Sequence, residues 1–225
     1  MSEKFKAIVL NQAGDNAQVL ASMINFSAKL EANEFFGNIG IYNYAKGAKV
    51  NFNGEIFNND FFSRVGIKNQ AEVLGTVVLG DVTSNRFDTQ ADAIENVADG
   101  TGDITIASTN YNTIESQNEY GIDSSVSNGG DITINQLIGN TFNTQKGGVR
   151  AKTEDGFLGG AITLSKVYGN NFTTVTGTDF MFVSGGSPIR VNTSDSEGRG
   201  LSAANNDATI DIKGADGDVV ITPSE

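Results

Sequence analysis

Residues 129–142 read GGDITINQLIGNTF, and residues 159–172 read GGAITLSKVYGNNF. After the paired glycines, each segment has an apolar β-branched residue, a spacer and a second apolar residue, and each ends in Asn, any residue, Phe. Apolar residues two positions apart are typical of a strand with one buried side. Because the second segment follows the first after 30 positions, the pair predicts a repeated structural unit.

Four earlier segments have the same pattern. They are residues 24–35 (INFSAKLEANEF), 50–61 (VNFNGEIFNNDF), 77–87 (VVLGDVTSNRF) and 104–114 (ITIASTNYNTI). Their closing residues form an asparagine column, whose members are 26 to 30 positions apart: Asn33, Asn59, Asn85, Asn112, Asn140 and Asn170. A second column lies two positions later: Phe35, Phe61, Phe87, Ile114, Phe142 and Phe172. A third, apolar column follows: Ile41, Ile67, Ile94, Ile122 and Val149.

Three strand signals per repeat, separated by turn residues, predict a coil in which each strand pairs with its equivalent in the next turn. Like side chains then stack, and an asparagine column passes amide hydrogen bonds from turn to turn. We predict an all-β fold, a single right-handed parallel β-helix (β-solenoid) of about eight rungs with three strands per rung. The count runs from Ile24 to Ile189, with a shorter step to Ile210. A sandwich or barrel of hairpins is the main rival, but its two-residue turns are not regularly placed here.

The repeat divides the chain into three parts. Residues 24–191 form the β-helix repeats, and residues 1–23 form an N-terminal strand or cap. Residues 192–225 form an irregular final rung and C-terminal cap, because the Asn-x-Phe element is missing there. Apolar residues within residues 18–36 also have helical spacing, which leaves a capping helix open as an alternative. The alignment of residues 24–35 with the later repeats favours a first rung.

Composition excludes several classes of function. The chain has 15 basic and 27 acidic residues, and a net charge of −12 opposes binding to nucleic acid or anionic lipid. It has no cysteine and no histidine, so disulfides, thiolate metal sites and a histidine base are excluded. No apolar run is long enough to span a membrane, and residues 1–10 lack the pattern of a cleaved signal peptide. We expect no nucleic-acid partner and no transmembrane segment.

Carboxylates are the remaining candidates for chemistry on sugars. They are Asp81, Asp88, Asp92, Glu95 and Asp99, with Arg86 nearby. No pair recurs at a spacing that dictates a shared site, so a solvated acidic face is the favoured interpretation. Residues 99–103, 205–207 and 216–218 offer oxygen ligands for calcium beside glycines, without the spacing of a known calcium loop. We therefore predict no catalytic residue, no cofactor and no metal, and we expect that the protein is not an enzyme.

The glycine-led units at residues 102–106 (GDITI), 129–134 (GGDITI) and 159–164 (GGAITL) resemble β-helical repeats of filamentous-haemagglutinin-type secreted adhesins. The resemblance covers residues 24–191 and is strongest from residue 100 to residue 172. It implies a rigid exported rod, extracellular or on the cell surface, that faces cells, polysaccharide receptors or neighbouring subunits. The chain is short for this family and has no recognisable secretion domain, which leaves open both the export route and a fragment of a longer protein.

The ends of a β-helix carry unpaired backbone groups that can template another chain. Residues 4–10 are a candidate strand donor, because Phe5, Ala7 and Val9 occupy alternate positions. The alternative, in which this segment covers its own first rung, is equally compatible with the sequence. We predict a structural or adhesive β-solenoid protein, a homo-oligomer or homopolymer whose fibre subunits join end to end or by strand donation. The alternative function is a carbohydrate-active β-helix, a polysaccharide lyase or hydrolase, or a viral tail-spike fragment.

Overall fold

The computed structural model describes residues 7–13, 23–154, 160–185, 188–192, 210–213 and 219–222. Every secondary-structure element that it describes is a β-strand, and every pairing between these strands is parallel. Since strands pair with the equivalent strand one turn away and not with their neighbours in sequence, the chain winds as a solenoid. The predicted all-β, right-handed parallel β-helix is confirmed.

The first face of the solenoid opens each turn. Its strands are β2 (Met23–Phe26), β5 (Lys49–Phe52), β8 (Thr76–Thr83), β11 (Asp103–Asn110), β14 (Asp131–Ile134), β18 (Ala161–Leu164), β22 (Ile189–Asn192) and β24 (Val219–Thr222). Short strands continue this face towards the asparagine corner: β3 (Leu30–Glu31), β6 (Ile56–Phe57), β15 (Leu137–Ile138) and β19 (Val167–Tyr168).

The second and third faces follow the asparagine corner. In the first two turns, β4 (Glu34–Lys46) and β7 (Asp60–Glu72) run through both faces without a break. Later turns form the second face from β9 (Arg86–Thr89), β12 (Thr113–Ser116), β16 (Thr141–Thr144) and β20 (Asn171–Thr174). The third face continues through β10 (Ile94–Asp99), β13 (Tyr120–Val126), β17 (Gly147–Thr153), β21 (Phe180–Ser184) and β23 (Ile210–Lys213).

Among the described residues, six turns contain all three faces, while the first face alone has eight strands, so the predicted count of about eight rungs is slightly too high. The sequence also predicts that Ile210 continues the first-face column after Ile189, and this placement is wrong. In the structure Ile210 pairs with Phe180 on the third face, and Val219 is the partner of Ile189. Both positions begin an alternating apolar segment, and the long polar stretch before them hides which face each one joins.

The first turn is built from strands. Ile24 is in register with Val50, and Phe35 is in register with Phe61. A capping helix is therefore wrong for residues 23–36, while residues 18–22 lie outside the described residues.

Stacked aromatic rings fill much of the interior. The ring centroids of Phe35 and Phe61 lie 4.6 Å apart, as do those of Phe61 and Phe87. The centroids of Phe142 and Phe172 lie 4.7 Å apart. These distances match the spacing between paired strands, about 4.7–4.9 Å. Ile114 occupies the same column between the two stacks. Each buried ring stabilises the fold by about 1.5–3 kcal/mol.

A column of small residues makes room for these rings. Its glycines precede the third-face column, and a Cβ on each would collide with the ring of the next turn: Gly40 on Phe61, Gly66 on Phe87, Gly121 on Phe142 and Gly148 on Phe172. At Gly66 the added atom would lie 2.6 Å from Phe87 Cδ1. In the third turn this column of small residues has Ala93 in place of glycine. One turn later the ring column has Ile114 in place of phenylalanine. Side-chain volumes on the two columns therefore compensate each other.

Candidate functional site

The predicted asparagine column forms one continuous hydrogen-bonded ladder at the corner between the first and second faces. Its repeating unit is clear at Asn85, whose backbone N–H and Nδ2 both donate to Asn112 Oδ1, at 2.9 and 3.1 Å. Asn85 Nδ2 also donates to the Ile56 carbonyl at 2.8 Å. The same bonds to the next asparagine link the whole column: Asn33, Asn59, Asn85, Asn112, Asn140 and Asn170.

The structure also brings together all six members of the ring column, each in register with the next: Phe35, Phe61, Phe87, Ile114, Phe142 and Phe172. All but Asn33 and Phe172, near the two ends, are buried in the two columns. Buried amide and ring ladders hold neighbouring turns together. The buried members of both columns stabilise the solenoid and present no group to a ligand.

A second buried polar ladder was missed from the sequence. On the inner side of the third face, Asn43 Nδ2 donates to Asn69 Oδ1 at 2.8 Å, and Asn69 Nδ2 donates to Asn96 Oδ1 at 2.9 Å. Asn96 Nδ2 then donates to Ser124 Oγ at 3.1 Å. The signal was present, because each of these residues lies two positions after a member of the third apolar column. Period-two alternation places such residues inside the coil.

The candidate carboxylates do not converge on one site. Asp81 accepts a hydrogen bond from Ser108 Oγ at 2.6 Å at the end of the first-face strands. Asp88 lies on the second face, and Glu95 forms an ion pair with Lys68 at 2.8 Å on the third face. Two of them have a carboxylate as register partner in the next turn: Asp88 lies opposite Glu115, and Glu95 lies opposite Asp123. Glu115 was not among the residues picked from the sequence.

Asp92 is the most perturbed of these carboxyl groups. It lies buried at the corner between the second and third faces, and burial raises its pKa to about 7. Negative charges on Asp123, Glu95 and Glu119 contribute to this rise, and the Tyr120 N–H, which donates to Oδ1 at 3.1 Å, opposes it. The carboxyl group therefore carries a proton on a substantial fraction of molecules at neutral pH.

The calcium candidates form corner hydrogen bonds instead. Asp99 Oδ1 accepts bonds from Ser127 Oγ, Asn128 Nδ2 and the Gly100 N–H, and these bonds lower its pKa. Asp103 accepts a bond from the Asp131 N–H, while burial raises its pKa. Residues 205–207 and 216–218 lie outside the described residues. Among the residues that are described, no group of three or more acidic side chains is arranged to hold a metal ion.

An exposed aromatic pair occupies the outer side of the second face. The Phe36 ring is 57% exposed and stacks on the Phe62 ring, with centroids 5.2 Å apart and planes 20° apart. The Arg86 guanidinium lies 5.8 Å from the Phe62 centroid. Phe-Phe pairs at residues 35–36 and 61–62 were the sequence signal, because consecutive residues of a strand point to opposite sides.

A groove of about 200 Å³ begins at the second ring of this pair. It is lined by Phe62, Ser63, Asp88, Gln90 and Gln117, and we call it the Phe62 groove. Three of its polar lining side chains, Asp88, Gln90 and Gln117, reach solvent from two successive turns, and Gln117 Nε2 donates to Asp88 Oδ1 at 3.2 Å. The Phe62 groove thus combines one apolar wall with amide and carboxylate groups.

The segment predicted to be a strand donor pairs with a strand of the same chain. Strand β1 (Ala7–Ala13) pairs in parallel with β4, with Ala7 opposite Ile39 and Val9 opposite Ile41. This arrangement is the alternative left open from the sequence, in which the segment covers its own first turn. Phe5 lies outside the described residues.

Comparison of the chain with protein-family models, with curated proteins and with solved structures finds no match. Among the described residues, no helix has the length and apolar character needed to cross a membrane.

Proposed function

We propose that this chain is the shaft of a structural or adhesive protein, located outside the cell or on its surface. The observation that carries the proposal is the asparagine ladder, which joins six successive turns through bonds between identical side chains. Breaking any one turn would expose buried amides on both sides of the break. Such a shaft resists bending and extension, which suits a rod that holds a binding surface away from its anchor.

The geometry of the shaft supports the same role. Six complete turns at the spacing between strands give a rod about 30 Å long, before the strands that follow the sixth turn are added. Its outward side chains lie in columns that stay in register from turn to turn, so a receptor or another rod meets a regular surface. The resemblance of residues 24–191 to secreted adhesin repeats points in the same direction.

Assembly into fibres is the second part of the proposal. A parallel solenoid ends in strands whose outer edge is unpaired unless something covers it. In this chain β1 covers part of the first turn by pairing with β4. Exchange of β1 between neighbouring molecules would convert this internal pairing into a link between subunits without a new interface.

The test is negative-stain microscopy of the purified full chain beside a variant that lacks residues 1–10. We expect filaments from the full chain and isolated short rods from the variant. Normal filaments from the variant would refute strand donation and leave end-to-end stacking. Beads coated with the full chain should also adhere to cell or polysaccharide surfaces more than beads coated with albumin, and equal adhesion would contradict the adhesive role.

A carbohydrate-active enzyme is the second candidate function. It is favoured by one observation, the register pairing of Asp88 with Glu115 beside the Phe62 groove, since paired carboxylates are the usual groups for sugar cleavage. The discriminating assay measures reducing and unsaturated sugar ends released from a panel of polysaccharides. Release that is abolished by both Asp88→Asn and Glu115→Gln would establish this candidate, and no release from any polysaccharide would remove it.

A further inference from the structure

The exposed aromatic pair is an unusual use of phenylalanine. Single apolar side chains on a surface are common and need no explanation. Here, however, two rings on successive turns stack on each other on the outer side of the face, with Phe36 exposed and Phe62 half-buried. The other outward positions of this column, beginning at Asp88, are polar: Asp88, Glu115, Asn143 and Thr173. The apolar character is therefore local to the first two turns and does not come from the repeat.

The groups around the rings are suited to a ligand that has both an apolar side and many hydroxyls. Asp88 offers carboxylate acceptors, while Gln90 and Gln117 each offer an amide donor and acceptor. Ser63 is already engaged, because its Oγ donates to the Val65 carbonyl at 2.8 Å. A pyranose ring presents C–H groups on its faces and hydroxyls around its edge, so a chain of such rings can lie against the exposed Phe36 ring and the open edge of Phe62 and reach these polar groups.

The charged side chains around the rings favour a neutral sugar over an acidic one. The outer columns of this face carry four acids near the rings and two bases: Glu34, Asp60, Asp88 and Glu115 against Arg64 and Arg86. One of the bases is engaged, since Arg64 Nε donates to Asn38 Oδ1 at 2.8 Å. The local excess of negative charge adds to the net charge of −12 and repels uronic or sulfated sugars. A neutral sugar meets no such repulsion.

The direction of the ligand follows from the stacking. Phe36 and Phe62 lie one above the other along the solenoid axis, and the Phe62 groove continues towards Gln117 on a later turn. A chain of sugars would therefore lie parallel to the axis and cross the strands. Each turn advances by about 4.8 Å, which is comparable with the length of one sugar residue in a chain.

We propose that Phe36, Phe62 and the Phe62 groove form a binding site for a neutral hexopyranose chain, with the rings as the stacking platform and Asp88, Gln90 and Gln117 as hydroxyl partners. This inference rests on the proposed adhesive function and gives it a ligand class.

The test uses the full chain on immobilised neutral glucans, mannans and galactans, with polygalacturonate and heparan sulfate as acidic comparisons. Dissociation constants for the best neutral oligosaccharide are then measured by calorimetry for the wild type and for Phe36→Ala and Phe62→Ala. We expect selective retention on a neutral polysaccharide and a loss of affinity of about tenfold for Phe62→Ala, because the stacking surface is removed. Tyr111→Ala is the matched control, since Tyr111 is also an exposed aromatic residue (61%) and lies outside the groove. Its affinity should equal that of the wild type.

Phe36→Ala distinguishes loss of binding from loss of folding, because Phe36 is more exposed than Phe62 and its removal leaves the core intact. Binding to acidic polymers alone, or no neutral ligand, would overturn the site. Wild-type affinity in both phenylalanine variants would also overturn it. The bead-adhesion and microscopy experiments separate this failure from that of the proposed function. Rods that still adhere without binding neutral sugars would refute only the sugar site.

Discussion

Replacing Asn112 by alanine tests whether the asparagine ladder holds the turns together. The Asn112 side chain makes four hydrogen bonds in the middle of the column. Its Oδ1 accepts from the Asn85 backbone N–H and from Asn85 Nδ2, at 2.9 and 3.1 Å. Its Nδ2 donates to the Val82 carbonyl and to Asn140 Oδ1, at 2.9 and 3.0 Å. Alanine removes all four bonds.

The cost can be worked from these contacts. Asn85 is only 2% exposed, so its backbone N–H would lose its acceptor where water has little access. An unpaired buried group costs about 1–3 kcal/mol, and each further lost hydrogen bond costs about 0.5–1.5 kcal/mol. Some loss is avoided because Asn85 Nδ2 keeps its bond to the Ile56 carbonyl. We expect the free energy of unfolding to fall by about 2–5 kcal/mol, a large part of the stability of an ordinary domain.

The assay is urea unfolding at equilibrium, followed by far-UV circular dichroism. Asn33→Ala is the matched control, because Asn33 is the first, exposed member of the same column. Its Nδ2 bonds to the Glu31 carbonyl and Asn59 Oδ1 can be replaced by water, so its loss should cost less than about 1 kcal/mol. Asn112→Asp is a second probe. It keeps the shape but places a carboxylate against two acceptors, Val82 O and Asn140 Oδ1, so it should destabilise more at pH 8 than at pH 4.

Equal losses for Asn112→Ala and Asn33→Ala would refute the reasoning. They would mean that backbone pairing and the ring column hold the turns without help from the amides. A stable, pH-independent Asn112→Asp variant would lead to the same conclusion.

Two further predictions concern the interior. Because burial raises the pKa of Asp92 from 3.8 to about 7, the folded chain keeps a proton that the unfolded chain releases, so this group's contribution to stability falls as pH rises from about 4 to 7. Asp92→Asn keeps an acceptor for the Tyr120 N–H, and urea unfolding should show a free energy of unfolding up to about 4 kcal/mol above that of the wild type at pH 8. No gain is expected at pH 4. An equal difference at both pH values would contradict the raised pKa of Asp92. Ile114→Phe should lower the free energy of unfolding by about 1–3 kcal/mol, because the Ala93 methyl occupies the space that glycine leaves elsewhere in that column. Ala93→Gly combined with Ile114→Phe should recover most of that loss, and strict additivity of the two changes would disprove the compensation.

The fold was largely predictable because equivalent positions in successive turns of a solenoid have similar residues. Each column repeats at a nearly constant period, so Asn85, Asn112 and Asn140 reveal their neighbours without any knowledge of three-dimensional contacts. Prediction failed where the period broke. After residue 191 the Asn-x-Phe element no longer marks the corner, and Ile210 was placed on the first face when it belongs to the third.

Residues inside the coil were predictable only when they were apolar or at a corner. The Asn43, Asn69 and Asn96 ladder was missed because polar residues in a strand are usually assigned to the solvent side. Their parity with Ile41, Ile67 and Ile94 was the stronger evidence, since period-two alternation fixes the direction of a side chain whatever its chemistry. The shift in the Asp92 pKa was not predictable, because it depends on burial at a corner whose path the repeat does not specify.

Departures from the repeat carry the information about function. Repeated positions are explained by the stacking of one turn on the next, so a ladder residue needs no ligand to account for it. Phe36 and Phe62 are different, because they point outward, and the same column becomes acidic and then neutral and polar in later turns. Stacking alone would be served as well by polar residues at both positions, at no cost in exposed apolar surface. The proposed binding partner that covers the rings accounts for their presence, whereas the stacking of turns in the solenoid does not.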